Sequence, residues 1–102
     1  MTKIMRLAGT SQPDIQQNVN TYGGPGVGNY QLVREPENIH DQNAIKVALA
    51  GHWVIGYIPA PIAVELAPQM DGGRIFEAEF VQLNRAPGHD TVGITVRIVE
   101  VA

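Results

Sequence analysis

Hydrophobic positions in this chain recur mostly with a period of two, in short runs broken by glycine, proline and small polar residues. A period of two puts alternate side chains on one face of an extended strand. The runs predict strands over Lys3 to Ala8, Tyr30 to Arg34, Ala44 to Leu49, Trp53 to Ile58, Arg74 to Leu83 and Gly93 to Val101. Ile45, Val47 and Leu49 alternate with Lys46 and Ala48, while Trp53, Ile55 and Tyr57 share one face. Two segments change to a helical period. Asp14 to Asn20 sets Ile15 and Val19 one turn apart behind an aspartate suited to the N-cap. Ile62, Ala63, Leu66, Ala67 and Met70 form a second stripe that opens near Pro61, is kinked or restarted at Pro68 and stops at Gly72-Gly73. Tyr22 to Gly28, reading YGGPGVG, is a loop or hairpin connection, and Asn84 to Val92 joins the last two strands. The expected fold is mainly β: a small barrel of about six strands with one or two short helices. Closure removes the exposed edges that so many strands would otherwise present.

A chain of 102 residues supports one domain, expected to span 1–102, with one modest core. No apolar run approaches the roughly 18–20 residues that cross a bilayer, and no signal-peptide core follows the start. The expectation is a cytoplasmic protein with no membrane partner. The absence of cysteine excludes disulfides, thiol nucleophiles and cysteine zinc sites. His40, His52 and His89, with Asp41 and Asp90, are the residues a metal-dependent enzyme would use, but they lack the short-spacing pairs of metal sites. Ser11 is the only serine and has no nucleophile-elbow context. Neither catalysis nor a cofactor is expected. The net charge of −3 argues against broad tracking of duplex phosphates. It leaves room for a site that grips a few nucleotides, because fields are screened beyond about 8–10 Å.

The chemistry concentrates between Leu32 and Tyr57. Here two strands flank the loop Arg34-Glu35-Pro36-Glu37-Asn38-Ile39-His40-Asp41-Gln42-Asn43. Pro36 fixes one turn and biases Glu35 toward an extended conformation. Asn38, Asp41 and Asn43 are residue types whose side chains bond back to nearby backbone. A loop so braced holds its remaining polar groups at defined places, as a binding site requires. Arg34 is either a cation for a ligand or the partner of Glu35 or Glu37. Glu77 and Glu79 are expected to pair with Arg97 across the last two strands.

The series Arg-Glu-Pro-Glu-Asn-x-His-Asp-x-Asn-Ala-Ile-x-Val, followed by Gly56-Tyr57-Ile58-Pro59, Ala63 to Leu66 and Asp71-Gly72-Gly73, resembles the HIRAN domain family. The similarity runs from Leu7-Ala8-Gly9 to the last strand. The resemblance implies an OB-like barrel that binds single-stranded DNA, preferably by capturing a free 3′-hydroxyl end, in repair or replication. It implies that Asp41 reads the terminal hydroxyl, with Asn38 or a backbone amide completing the pocket. A carboxylate accepts from a hydroxyl and repels a terminal phosphate. It further implies that His40 and Tyr57 stack bases and that Gln12 or Tyr22 closes the pocket.

Each assignment has a plainer counterpart. Asp41 and Asn43 can simply cap their own loop, His40 can be an exposed loop side chain, and Tyr57 can belong to the core. The chain also departs from the family. Ser11-Gln12 stands where relatives carry a basic and an aromatic residue, and Pro59-Ala60-Pro61 where they often offer a cation. A second reading is therefore a protein-interaction module that keeps the barrel without its grip on DNA. A helicase, nuclease or other repair or replication factor is the expected protein partner under either reading. Gly24 to Gly28 precedes a strand and lacks a Lys-Ser/Thr partner, so it reads as a flexible connection flanking the groove rather than a phosphate cradle.

Overall fold

A computed structural model describes residues 2–101. Six strands and two helices follow in the order β1 (Thr2–Arg6), α1 (Pro13–Tyr22), β2 (Tyr30–Arg34), β3 (Ile45–Leu49), β4 (Trp53–Tyr57), α2 (Ala60–Asp71), β5 (Ile75–Asn84) and β6 (Gly93–Val101). All strand pairs are antiparallel, and the sheet order is β1-β6-β5-β2-β3-β4. The inward positions of these strands, including Ile45, Val47, Ile55, Phe76, Ile94, Val96 and Ile98, form one buried core. Removing each such side chain from water contributes about 1.5–3 kcal/mol.

Two irregularities curl the sheet. In β5 the pairing with β6 shifts between Phe80 and Gln82, and in β4 the partners of Val47 and Ala48 are Gly56 and Val54. An extra residue on one strand bends it and increases its twist. The curl brings the two edge strands together just beyond β1. The Ala8 N–H donates to the Tyr57 carbonyl (2.8 Å) and the Tyr57 N–H donates to the Ala8 carbonyl (2.9 Å). This reciprocal pair is the seam of an OB-like barrel. Only glycine fits beside it at position 56, where a Cβ would lie 2.8 Å from Leu7 Cβ.

The bulge corrects one expectation from periodicity. Ile55 is fully buried, but Trp53 is 41% exposed and Tyr57 half-buried, so the three do not share a core face. Ala48, expected to point outward, is also buried.

α1 lies against β4, with Asn18 Nδ2 donating to the Val54 carbonyl at 2.9 Å. Its N-cap is Gln12 rather than Asp14. Pro13 occupies the first turn with its preset φ, and Asp14 follows there, favoured by the positive helix end. Tyr22 belongs to the last turn of α1 rather than to the loop. α2 runs without a break through Pro68, burying Ala63, Leu66 and Ala67. Pro68 and Val64 lie on the exposed face of that helix, where solvent can stand in for the missing donor. Cross-strand pairing also differs in part. Arg97 meets Glu79 (3.4 Å), whereas Glu77 accepts from Asn29 Nδ2 (3.0 Å).

Candidate functional site

The loop between β2 and β3 is ordered by its own side chains. Asn38 N–H donates to the Glu35 carbonyl, closing a turn with Pro36 at its second position. Asn38 Oδ1 then accepts from the backbone of His40 (2.9 Å) and Asp41 (3.2 Å), and Asp41 Oδ1 accepts from Asn43 N–H (2.8 Å). Arg34 ties the loop down from below. Its guanidinium donates to the Ala44 and Gln42 carbonyls and forks onto both oxygens of Asp71 at the end of α2. Arg34 is therefore spent on structure, and its carboxylate partner is Asp71 rather than Glu35 or Glu37.

Glu35 links this loop to the seam. Its Oε1 accepts from Tyr57 Oη (3.0 Å) and from Asn38 Nδ2 (3.1 Å), and its Oε2 lies 4.0 Å from Lys46 Nζ. Burial first, and then the hydrogen bond to Glu35 and its negative charge, push the Tyr57 phenol above its ordinary value of 10.0. The ring is thus held in one orientation by a carboxylate that also positions the loop.

Between the loop and the β1–α1 connection lies an open groove of about 430 Å³. Gly9 and Gln12 line one side, Asn38, His40 and Asp41 the other, and Tyr57 and Ala60 the floor and end. The seam sets the width, because Ala8 and Tyr57 are bonded to each other across it. Gly9 turns the chain at φ +73°, and a Cβ there would press on Gln12 Nε2 (3.3 Å) and approach the Tyr57 ring (3.6 Å). Ala60 begins α2, so the positive end of that helix faces the groove.

Five of the six residues singled out from sequence meet here: Gln12, Asn38, His40, Asp41 and Tyr57. Tyr22 does not. It ends α1, ten residues from Gln12 and so roughly 15 Å along the helix. Its ring stacks on Trp53 at 5.3 Å between centroids, and His52 meets Trp53 edge-on at 4.6 Å. The glycine-rich loop is at that distant end too, with Gly24 N–H reaching Tyr30 Oη (3.4 Å), so it does not flank the groove. Asn38 lines the groove, but its oxygen is committed to the loop backbone. Asp41 caps its own loop and also lines the groove. One of its carboxylate oxygens accepts from Asn43 N–H.

Sequence reading missed Glu35 as the organiser and Ile39, whose side chain stands 92% exposed at the loop tip. Glu35 is legible in hindsight as the acid before Pro36. Nothing in the sequence pairs it with Tyr57. Among the described residues, no Lys or Arg lines the groove. Among the described residues no three His, Asp or Glu side chains cluster as metal ligands.

Comparison with known proteins adds the decisive match. Residues 10–100 match the HIRAN domain. The chain belongs to the HIRAN domain family. This match takes in Gln12, the loop side of the groove and strands β2 to β5 with β6 as far as Glu100, and leaves out β1, Ala8 and Gly9. A 44-residue stretch, 43% of the chain, is 43% identical to a protein named Fanconi-associated nuclease 1 homolog from Arabidopsis thaliana. That stretch covers 5% of the plant protein's length. No solved structure matches. The HIRAN domain is a binding domain associated with DNA.

Proposed function

We propose that this HIRAN domain is a non-catalytic module that binds single-stranded DNA by a free 3′ end, seated in the groove between Gln12 and Asp41. The observation that carries the reading is the position of Asp41. Asp41 lines an open groove with one carboxylate oxygen anchored on Asn43, and Tyr57, whose phenol is fixed on Glu35, lines the same groove. Asp41 accepts the terminal hydroxyl and repels a terminal phosphate. His40, exposed beside it, and Tyr57 supply faces for bases, each stack worth about 1–3 kcal/mol. Gln12 offers an amide from the opposite wall. Asn38 shapes the loop through its side chain rather than contacting the ligand. A titration with a short single strand, followed by backbone NMR, tests the placement. Shifts concentrated at Gly9, Gln12, Asp41 and Tyr57 support it, and shifts confined to the Tyr22–Trp53 end would refute it.

The plant relative's name supports a setting in which such a module delivers a strand end to a nuclease. A helicase or another repair or replication factor would use it in the same way. A second reading rests on two observations: no cation among the described residues lines the groove, and Ile39, next to Asn38 and His40, carries an exposed apolar side chain. On that reading the same face docks a protein, and immobilised domain retains a recurrent protein after nuclease treatment.

A further inference from the structure

Charge in this chain is distributed unevenly. Seven lysines and arginines face ten acids. Five of these cations hold a carboxylate: Lys3 with Glu65, Arg34 with Asp71, Lys46 with Glu35, Arg74 with Glu100 and Arg97 with Glu79. Among the described residues, the two left without an ion pair are Arg6 and Arg85. Both lie at the same end of the β5–β6 hairpin, where Arg6 lines a small cavity of about 260 Å³ together with Asn84, Ala86, His89 and Thr91. That lining offers a guanidinium, an imidazole and a hydroxyl, and among the described residues it contains no carboxylate. The main groove and the cavity beside the glycine-rich loop each contain one, Asp41 and Glu79.

The cavity is built rather than accidental. The loop turns tightly over Ala86 to His89, where His89 N–H donates to the Ala86 carbonyl (3.1 Å). Pro87 and the positive φ of Gly88 (+80°) are the type II pattern for its central positions. Asn84 is held by Thr95 Oγ1 (2.8 Å). The Arg6 guanidinium lies against Gly93, so closely that a Cβ at 93 would fall 2.6 Å from Nη2 and 2.8 Å from Nε. Glycine at 93 leaves the guanidinium its seat.

One side chain links the loop of this cavity to the connection at the main groove. Gln16 donates from Nε2 to the Thr10 carbonyl (2.7 Å) and the Val92 carbonyl (3.0 Å), and its Oε1 accepts from Val92 N–H. This clasp fixes Val92, next to Thr91, beside the connection that carries Gly9 and Gln12.

We propose that the cavity of Arg6, His89 and Thr91 is an anion site that holds a backbone phosphate of the strand whose 3′ end occupies the groove. The proposal rests on the strand-end reading and extends it by placing the missing cation outside the groove. Guanidinium suits the task because its planar fork matches phosphate oxygens. A strand long enough to pass the Gln16 clasp gains this contact, and one that only fills the groove does not.

The test compares a dinucleotide with a single strand of about eight nucleotides, the span of one OB-like domain. Wild type, Arg6→Gln and Gly93→Ala are titrated across salt. Gly93→Ala keeps every charge and displaces only the guanidinium. Both variants are expected to bind the longer strand about tenfold more weakly and to lower the salt slope by about 0.7, the value for one single-strand phosphate. Dinucleotide binding stays unchanged. Unaltered binding of the longer strand by both variants overturns the proposal. If wild type binds no strand at all, the strand-end reading fails separately, and inorganic phosphate then decides. Saturable NMR shifts at Arg6 and His89, lost in Arg6→Gln, retain the anion site, and their absence removes it.

Discussion

The phenol of Tyr57 donates to Glu35 Oε1 at 3.0 Å, and this one bond joins the barrel seam to the loop that carries Asp41. Tyr57 is simultaneously bonded through its backbone to Ala8, so the ring is fixed at both ends. The groove is therefore preformed, and a ligand entering it orders little protein.

Replacing Glu35 by glutamine removes the charge while leaving an acceptor. The Tyr57 phenol should then titrate at lower pH than in wild type, read from its ring resonances. The same shift has a stability consequence. Tyr57 and buried Tyr30 both hold their protons more tightly when folded. Their contribution is complete below the unfolded value of about 10 and is lost as pH rises through the folded values. Urea midpoints should accordingly fall above about pH 10, less steeply in Glu35→Gln.

Arg34 makes four hydrogen bonds that connect β2, the loop and α2. Lysine retains the charge but cannot reproduce the fork. Arg34→Lys should cost about 1–3 kcal/mol in denaturant unfolding and weaken ligand binding through a loosened loop. Undiminished stability would mean that solvent replaces these bonds at little cost.

Gly56→Ala should break the seam. The added methyl meets Leu7 Cβ from a backbone at φ +154°, a conformation that side chains rarely adopt. A loss of about 2–4 kcal/mol is expected. Ligand binding should fall further than stability alone predicts, because the Ala8–Tyr57 pair is the floor of the groove.

Ala60 lies at the groove and at the positive end of α2, with no cation nearby in the lining. Ala60→Lys should strengthen single-strand binding and steepen its salt dependence by about 0.7 in logarithmic slope. A lysine there that changes neither affinity nor slope would place the strand elsewhere.

Much of the architecture was legible because strand periodicity is a local property. Tyr30 to Arg34 and Gly93 to Val101 coincide with the observed strands, and the loop's Asx geometry follows from residue types a few positions apart. What escaped was non-local. The bulge between Val54 and Gly56 breaks the alternation of β4, and Leu7 packs against Gly56 from a distant segment. Arg34 found Asp71 because α2 ends above it, an outcome no spacing in the loop encodes. Tyr22 is ten residues from Gln12 along the chain, and the α1 helix carries it to the other end. The resemblance to the family drew attention to the loop between β2 and β3. The tertiary structure brings five of the six named residues to one groove and commits the side chains of Asn38 and Glu35 to bracing the loop.

The most direct test is competition by fluorescence anisotropy between otherwise identical single strands ending in a 3′-hydroxyl or a 3′-phosphate, with Asp41→Ala in parallel. The account predicts clear preference for the hydroxyl in the wild-type domain and loss of that preference in the variant. Equal affinity for both ends, or a preference that survives Asp41→Ala, would contradict it.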